Sequence, residues 1–138
     1  MVEQRFQYQG ELHCSAHHGP SGRTLETDAP TDNMGKGESF SPTDLVGTAL
    51  GTCALTFMGM LAQRKGWNVA GVDLRLEKHM TKELPRKVER LLLQFTVPAD
   101  VSAALDDDAR RQLEHAARHC PVALSLHPDI DMQMQFAW

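Results

Sequence analysis

The strongest constraint on the fold of this chain is the segment from Ser41 to Gly66, which carries a complete set of helix signals. Ser41 is a favoured N-cap, Pro42 suits the first helical position, and an aspartate in the first turn complements the positive end of the helix dipole. Lys65 and Gly66 supply the stop signal. The roughly two dozen residues between these signals would form a helix about 36 Å long.

Apolar and small residues surround this predicted helix instead of forming one stripe along it. Such a helix has to be covered on more than one side. A chain of 138 residues is long enough for a single domain, residues 1–138, with a core of its own, but it struggles to cover so long a helix. We therefore expect a homodimer in which two chains wrap the helix.

Alternating apolar and polar residues predict strands on both sides of the helix. Three short strands come before it, and two more follow it, joined around Pro85. An acidic run from Asp106 to Asp108 opens a second helix, and a short helix after Cys120 leads to a closing strand in DIDMQMQFAW. This order predicts an α+β fold with antiparallel sheets packed on helices.

Composition and charge exclude several functional classes. The net charge of −4 and the pI near 5.9 argue against a general nucleic-acid binder, which would show a basic face. The N-terminal MVEQRFQYQG is too polar for a signal peptide, and the weakly polar stretch Leu45–Leu61 is too short to span a bilayer. Because three cysteines do not make a disulfide framework, we expect a cytoplasmic protein with reduced thiols.

Two cysteines are candidates for chemistry. Cys53 lies inside the apolar run ALGTCALTFMGML, where a small core residue is the default interpretation. Cys120 precedes Pro121. If Pro121 opens the short helix, Cys120 is its N-cap, and the helix dipole should lower the pKa of this thiol. Its position therefore indicates a tuned thiol more than a packing residue.

A metal site is a further alternative. Cys14 and His18 share one face of a predicted N-terminal strand, and His119 and Cys120 are neighbours in sequence. These four side chains could in principle surround a metal ion, but their spacing matches no standard zinc pattern. We therefore expect no metal.

Three segments, in order, resemble the OsmC/Ohr family of osmotically inducible and organic-hydroperoxide-resistance proteins. They are SPTDLVGTALGTC at the start of the long helix, RKGWNVAGVDLRLEK leading into the next strand, and HAARHCPVALSL followed by DIDMQMQFAW. The first and third are specific: a Pro-x-x-Leu, small residues and a cysteine, and much later Ala-x-x-Cys-Pro-Val. The resemblance covers most of the chain.

This resemblance implies an OsmC-like fold, in which antiparallel sheets wrap long central helices of an intertwined homodimer with two active sites at the subunit interface. It implies that Cys53 is a peroxidatic cysteine that forms a sulfenic acid, and that Cys120 is the resolving cysteine that condenses with it to a disulfide. Such a disulfide brings two Cα atoms within about 7 Å. A dithiol reductant of the thioredoxin or lipoyl type would recycle the enzyme, without a metal or organic cofactor.

The residues that activate the nucleophile in this family differ here. Characterised members carry a glutamate ten residues before the nucleophile, where this chain has Thr43, with Asp44 next to it. They also carry an arginine in an early loop, which reads HHGPSGR in this chain and places Arg23 later. Arg23, His17 or His18 could supply the positive partner, and Asp44 could orient it. The alternative function is a non-catalytic OsmC-like protein that binds a small hydrophobic ligand or senses redox state.

Overall fold

The computed structural model describes residues 1–138 and divides them into two units, Met1–Val46 and Gly47–Trp138. The first unit contains an antiparallel sheet in the order β1-β2-β3. Its strands are β1 (Gln4–Gly10), β2 (His13–His18) and β3 (Thr24–Asp28). The three strands predicted before the long helix are therefore confirmed.

A buried polar pair holds the end of this first sheet. Nδ1 of His13 lies 2.8 Å from Oδ1 of Asp28, and the other carboxylate oxygen accepts a hydrogen bond from the backbone N–H of Glu38. The Asp28 side chain is only 3% exposed. The hydrogen bond from His13, followed by that from Glu38, lowers the pKa of Asp28. The pair thus fixes β2, β3 and the following loop to one another.

Helix α1 (Pro42–Lys65) begins and ends where the sequence signals predict. Asp44 N–H donates to Ser41 Oγ, and Ser41 N–H donates back to Asp44 Oδ2, which is a reciprocal capping box. At the other end Gly66 has a φ of 73°, and Trp67 N–H donates to the carbonyl of Ala62 in a Schellman motif. Local chemistry alone therefore sets both ends of this helix.

The second unit contains a mixed sheet in the order β4-β5-β6. Its strands β4 (Asp73–Met80) and β5 (Val88–Thr96) are antiparallel, whereas β6 (Asp131–Ala137) runs parallel to β5. The expectation of antiparallel sheets is wrong for this pair. A parallel neighbour requires a crossover connection. That connection contains three helices: α2 (Ala99–Ala103), α3 (Asp107–Arg118) and α4 (Pro121–Ser125).

The core of the second unit lies between its sheet and its helices. Glycines on α1 allow close packing, since a Cβ at Gly47 would lie 2.8 Å from the Leu76 side chain and one at Gly51 would lie 3.0 Å from that of Leu74. The fully buried apolar side chains come from α1, β5 and α3: Leu50, Ala54, Leu91, Leu93, Leu113 and Ala117.

The remaining face of α1 is open in the single chain. Thr48, Thr52 and Thr56 are exposed, and the hydroxyls of Thr52 and Thr56 bond back to carbonyls one turn earlier. The helix is long and apolar enough to cross a membrane, a test that core helices of soluble proteins also pass. The expectation that this stretch is too short for a bilayer is thus wrong, because the helix extends beyond Leu45–Leu61 at both ends. Only 33% of its most apolar window is buried.

Candidate active site

Cys53 lies near the middle of α1 and is half-buried. Its neighbours one turn earlier are Ala49 and Leu50, and Phe57 lies one turn later. Leu50 is fully buried, so the thiol borders the core on one side. Cys53 is therefore not a fully buried core residue.

Cys120 is the N-cap of α4, with Pro121 in the first helical turn, as the sequence predicts. Its φ of −68° and ψ of 153° are the extended values typical of an N-cap residue. The residue is 0% exposed. The second unit therefore holds one partly buried thiol and one fully buried thiol.

The fold brings these two thiols together. Both cysteines are free, and the side chain of Cys53 lies close enough to that of Cys120 to raise its pKa, although they are 120 − 53 = 67 residues apart in the sequence. This contact joins the middle of α1 to the start of α4. The third cysteine, Cys14, lies on β2 of the first unit, opposite Tyr8 and Thr27.

The pKa of Cys120 is raised, not lowered as the N-cap position predicts. Burial is the main cause, because it disfavours the charged thiolate, and the nearby side chain of Cys53 acts in the same direction. The backbone N–H groups of Ala123 and Val122 lower the pKa, but they do not outweigh burial. They approach the sulfur without completing a capping hydrogen bond. Cys120 is therefore held as a neutral thiol.

A half-exposed thiol beside a buried neutral thiol can carry out dithiol redox chemistry. Oxidation of Cys53 to a sulfenic acid would place the oxidised sulfur next to the sulfur of Cys120. Condensation of these two groups gives a disulfide and prevents further oxidation.

The predicted activating residues lie in the first unit. The backbone N–H of His18 donates to the Arg23 carbonyl at 2.8 Å, and Ser21 Oγ lies 2.6 Å from Nδ1 of His18. His18 and Arg23 therefore flank the turn between β2 and β3. The Arg23 side chain is exposed, and so is that of His17. Asp44 contributes a carboxylate oxygen to the capping box of α1. The activating roles of these residues stay predictions.

No group of three or more His, Cys, Asp or Glu side chains is arranged to hold a metal ion. The four side chains considered as a metal site, Cys14, His18, His119 and Cys120, therefore form no such cluster. Sequence reasoning missed a different pair, His115 and His119, whose rings stack on α3. Their spacing of four residues in HAARH is the signal that could have found them.

A family model described as OsmC-like protein matches residues 35–135, and the chain belongs to this family. None of the curated proteins compared with it matches.

Solved structures of the family share this fold. A Psychrobacter arcticus protein, provisionally named an osmotic stress induced and detoxification response protein, is 39% identical with a TM-score of 0.90, over 99% of this chain and 96% of that one. The organic hydroperoxide resistance protein OsmC from Legionella pneumophila is 13% identical with a TM-score of 0.76, over 100% and 97% of the two chains. A Vibrio cholerae relative, provisionally named an organic hydroperoxide resistance protein and solved with captopril in one active site, is 16% identical with a TM-score of 0.75, over 99% and 90%.

Proposed function

We propose that this protein is a homodimeric, cysteine-based peroxidase that reduces organic hydroperoxides in cytoplasmic oxidative stress defence, with H2O2 as a second candidate substrate. The observation that carries the proposal is the proximity of the free thiols of Cys53 and Cys120. The names of the Legionella and Vibrio relatives support the same substrate class.

The proposed reaction begins at the half-exposed thiol. The Cys53 thiolate attacks the O–O bond of the hydroperoxide, so an S–O bond forms and the O–O bond breaks. The leaving alkoxide takes a proton and departs as an alcohol, and Cys53 becomes a sulfenic acid. The sulfur is oxidised by two electrons, and the peroxide is reduced by two.

In the second step, the sulfur of Cys120 attacks the sulfur of the sulfenic acid. A Cys53–Cys120 disulfide forms, and the hydroxyl group leaves as water with the proton of the Cys120 thiol. Burial raises the pKa of Cys120, so less of this residue is present as the thiolate that would compete with Cys53 for peroxide. A dithiol reductant, of the thioredoxin or lipoyl type, then reduces the disulfide, and no metal or organic cofactor is needed.

The surroundings of Cys53 favour an apolar substrate. Alanine, leucine and phenylalanine flank it on α1, and these side chains have more to gain from an alkyl group than from H2O2. We propose that Arg23, or a histidine at position 17 or 18, supplies the positive charge that stabilises the thiolate, with Asp44 as its orienting partner.

The dimer is proposed because much apolar surface is open in the single chain. Two thirds of the most apolar window of α1 is not buried, and Met60 on the same helix is 47% exposed. Phe6, Tyr8 and Leu25 are also exposed. A second copy of the chain would cover such surface.

The alternative is a non-catalytic protein that binds a small hydrophobic ligand or senses redox state. One observation favours ligand binding: an open groove beside the C-terminal half of α1 is lined by Met58, Trp67, Val69 and other residues. The replacement of the family glutamate by Thr43 favours the same function, because it removes a group that helps to activate the nucleophile.

Turnover separates the two functions. Reduced protein is mixed with excess cumene hydroperoxide and a dithiol, and peroxide loss is followed against Cys53→Ser and Cys14→Ser variants. The peroxidase consumes many equivalents, Cys53→Ser loses on the order of 10³-fold in rate, and Cys14→Ser matches the wild type. If the wild type consumes no more peroxide than Cys53→Ser does, the peroxidase proposal fails. A change in Trp67 fluorescence on adding the peroxide would then support ligand binding.

A further inference from the structure

The C-terminal end of α3 carries two histidines that take no part in the proposed thiol chemistry. The rings of His115 and His119 are stacked, with centroids 3.9 Å apart and an angle of 24° between their planes. Both residues are exposed. Histidines four residues apart lie on one face of a helix, and helical zinc motifs use this spacing to present two imidazoles to one ion.

One hydrogen bond determines which nitrogen of His119 carries the proton. Nδ1 of His119 lies 2.9 Å from the backbone carbonyl oxygen of His115. Because a carbonyl oxygen only accepts, Nδ1 is the protonated nitrogen of the neutral ring, and Nε2 keeps its lone pair. Metal-bound histidines commonly donate their second ring nitrogen to a carbonyl in this way. The ring of His119 is therefore prepared as a ligand.

The charges near the two rings are compatible with a cation. His115 lies in the last turn of α3 and His119 is its C-cap, where the helix dipole favours positive charge. The two arginines closest in sequence have other partners. Arg111 lies 3.3 Å from the carboxylate of Asp108, and Arg118 donates to a backbone carbonyl of β6.

We propose that His115 and His119 form a surface site for a divalent transition metal of the Ni²⁺, Cu²⁺ and Zn²⁺ class. Imidazole suits these ions, and Cu²⁺ should bind most tightly. Both side chains are exposed, so their torsions are free to change when an ion binds. Two protein ligands leave the other coordination positions to water or to an incoming ligand. The site is independent of the peroxidase proposal, because neither thiol belongs to it.

Calorimetric titration with Ni²⁺ alone tests this site. The titration uses protein without a histidine tag, and Cys14→Ser and Cys53→Ser remove the two partly exposed thiols as competing ligands. We expect one ion per chain. Affinity should fall at least about tenfold in His115→Gln and in His119→Gln, the scale on which even an outer-shell partner of a metal ligand acts. Substitution of His79, an exposed histidine on β4, in His79→Gln should leave the affinity for Ni²⁺ unchanged.

Binding that is absent, or that survives both His115→Gln and His119→Gln, overturns the proposal. A second measurement needs no substitution in α3. Paramagnetic Ni²⁺ should broaden the ring resonances of His115 and His119 at substoichiometric concentration and leave those of His79 and His127 sharp. Equal broadening of all four histidines would contradict a specific site.

Discussion

The two units of the chain differ in how far the apolar side chains of their strands are buried. In the second unit, Leu93 of β5 is 0% exposed and Phe95 is 1% exposed. In the first unit, Phe6 and Tyr8 of β1 are 72% and 64% exposed. The buried residues of the first unit are polar, and Asp28 is one of them.

This difference suggests separate roles for the two units: one sets the geometry of the two thiols, and the other carries the residue proposed to activate Cys53. The second unit has an apolar core of its own and holds both Cys53 and Cys120, so it can set their contact by itself. The first unit has no such core and carries the proposed activating residue Arg23. Changes in the second unit should therefore affect folding and the disulfide, whereas changes in the first should affect rate and assembly.

The largest effect is expected in the core of the second unit. Leu93→Ala removes a fully buried side chain and leaves a cavity, which should lower the free energy of unfolding by about 2–5 kcal/mol. Phe6→Ala in the first unit is the control, since its side chain is exposed in the single chain. Urea unfolding is measured at several protein concentrations. The loss in free energy of unfolding caused by the substitution should depend on protein concentration for Phe6→Ala only. Equal losses in both variants would remove the contrast between the units.

The next effect concerns the resolving thiol. Cys120→Ser should slow turnover with a dithiol by about 100-fold, because the sulfenic acid on Cys53 has no neighbouring thiol. The first reaction with peroxide should keep its rate within about twofold of the wild type. Stopped-flow kinetics and trapping with dimedone measure the two steps. If the first step slows as much as turnover does, Cys120 has a role other than resolution.

A smaller effect is expected in the first unit. Arg23→Ala should slow the alkylation of Cys53 by iodoacetamide at pH 7 about tenfold, because less of the thiol is ionised without a positive partner. His17→Ala and His18→Ala are compared in the same assay. Arg23→Lys should recover most of the rate. A rate that does not change in Arg23→Ala removes this residue from the site.

The smallest effect depends on pH. Because the pKa of Asp28 is lowered in the folded protein, its stabilisation is present above its unfolded pKa of about 3.9 and is lost as the pH falls through the folded value. Asp28→Asn should therefore lower the free energy of unfolding at pH 7. The difference in this free energy between the variant and the wild type should become smaller towards pH 3. Glu89→Gln, at an exposed carboxylate on β5, is the control. A gap that does not depend on pH would contradict the role of this pair.

Local signals account for what the sequence predicts well. The capping box that includes Ser41 and the Schellman motif at Gly66 set the ends of α1, so its bounds follow from the sequence. The direction of β6 does not follow, because side-chain alternation is the same in parallel and antiparallel strands. The short helix α2 (Ala99–Ala103) also escaped prediction, because it has the same length as α4 but lacks the proline in the first turn that marks the start of α4.

Some features of the candidate site also follow from local sequence, whereas others depend on how the chain packs. The N-cap position of Cys120 is local and was predicted, whereas its burial depends on packing and reverses the expected direction of its pKa. The pairing of Cys120 with Cys53 came from the family resemblance, since nothing in a spacing of 67 residues indicates contact. Contact between distant residues is a property of the fold and not of any segment.

The most direct test of the account is a count of thiols after one equivalent of cumene hydroperoxide. The reduced protein has three free thiols, and mass spectrometry maps any bridge that forms. The account predicts rapid loss of two thiols, a Cys53–Cys120 disulfide, and a Cys14 that stays free. Three free thiols after several minutes, or a bridge that includes Cys14, would contradict it.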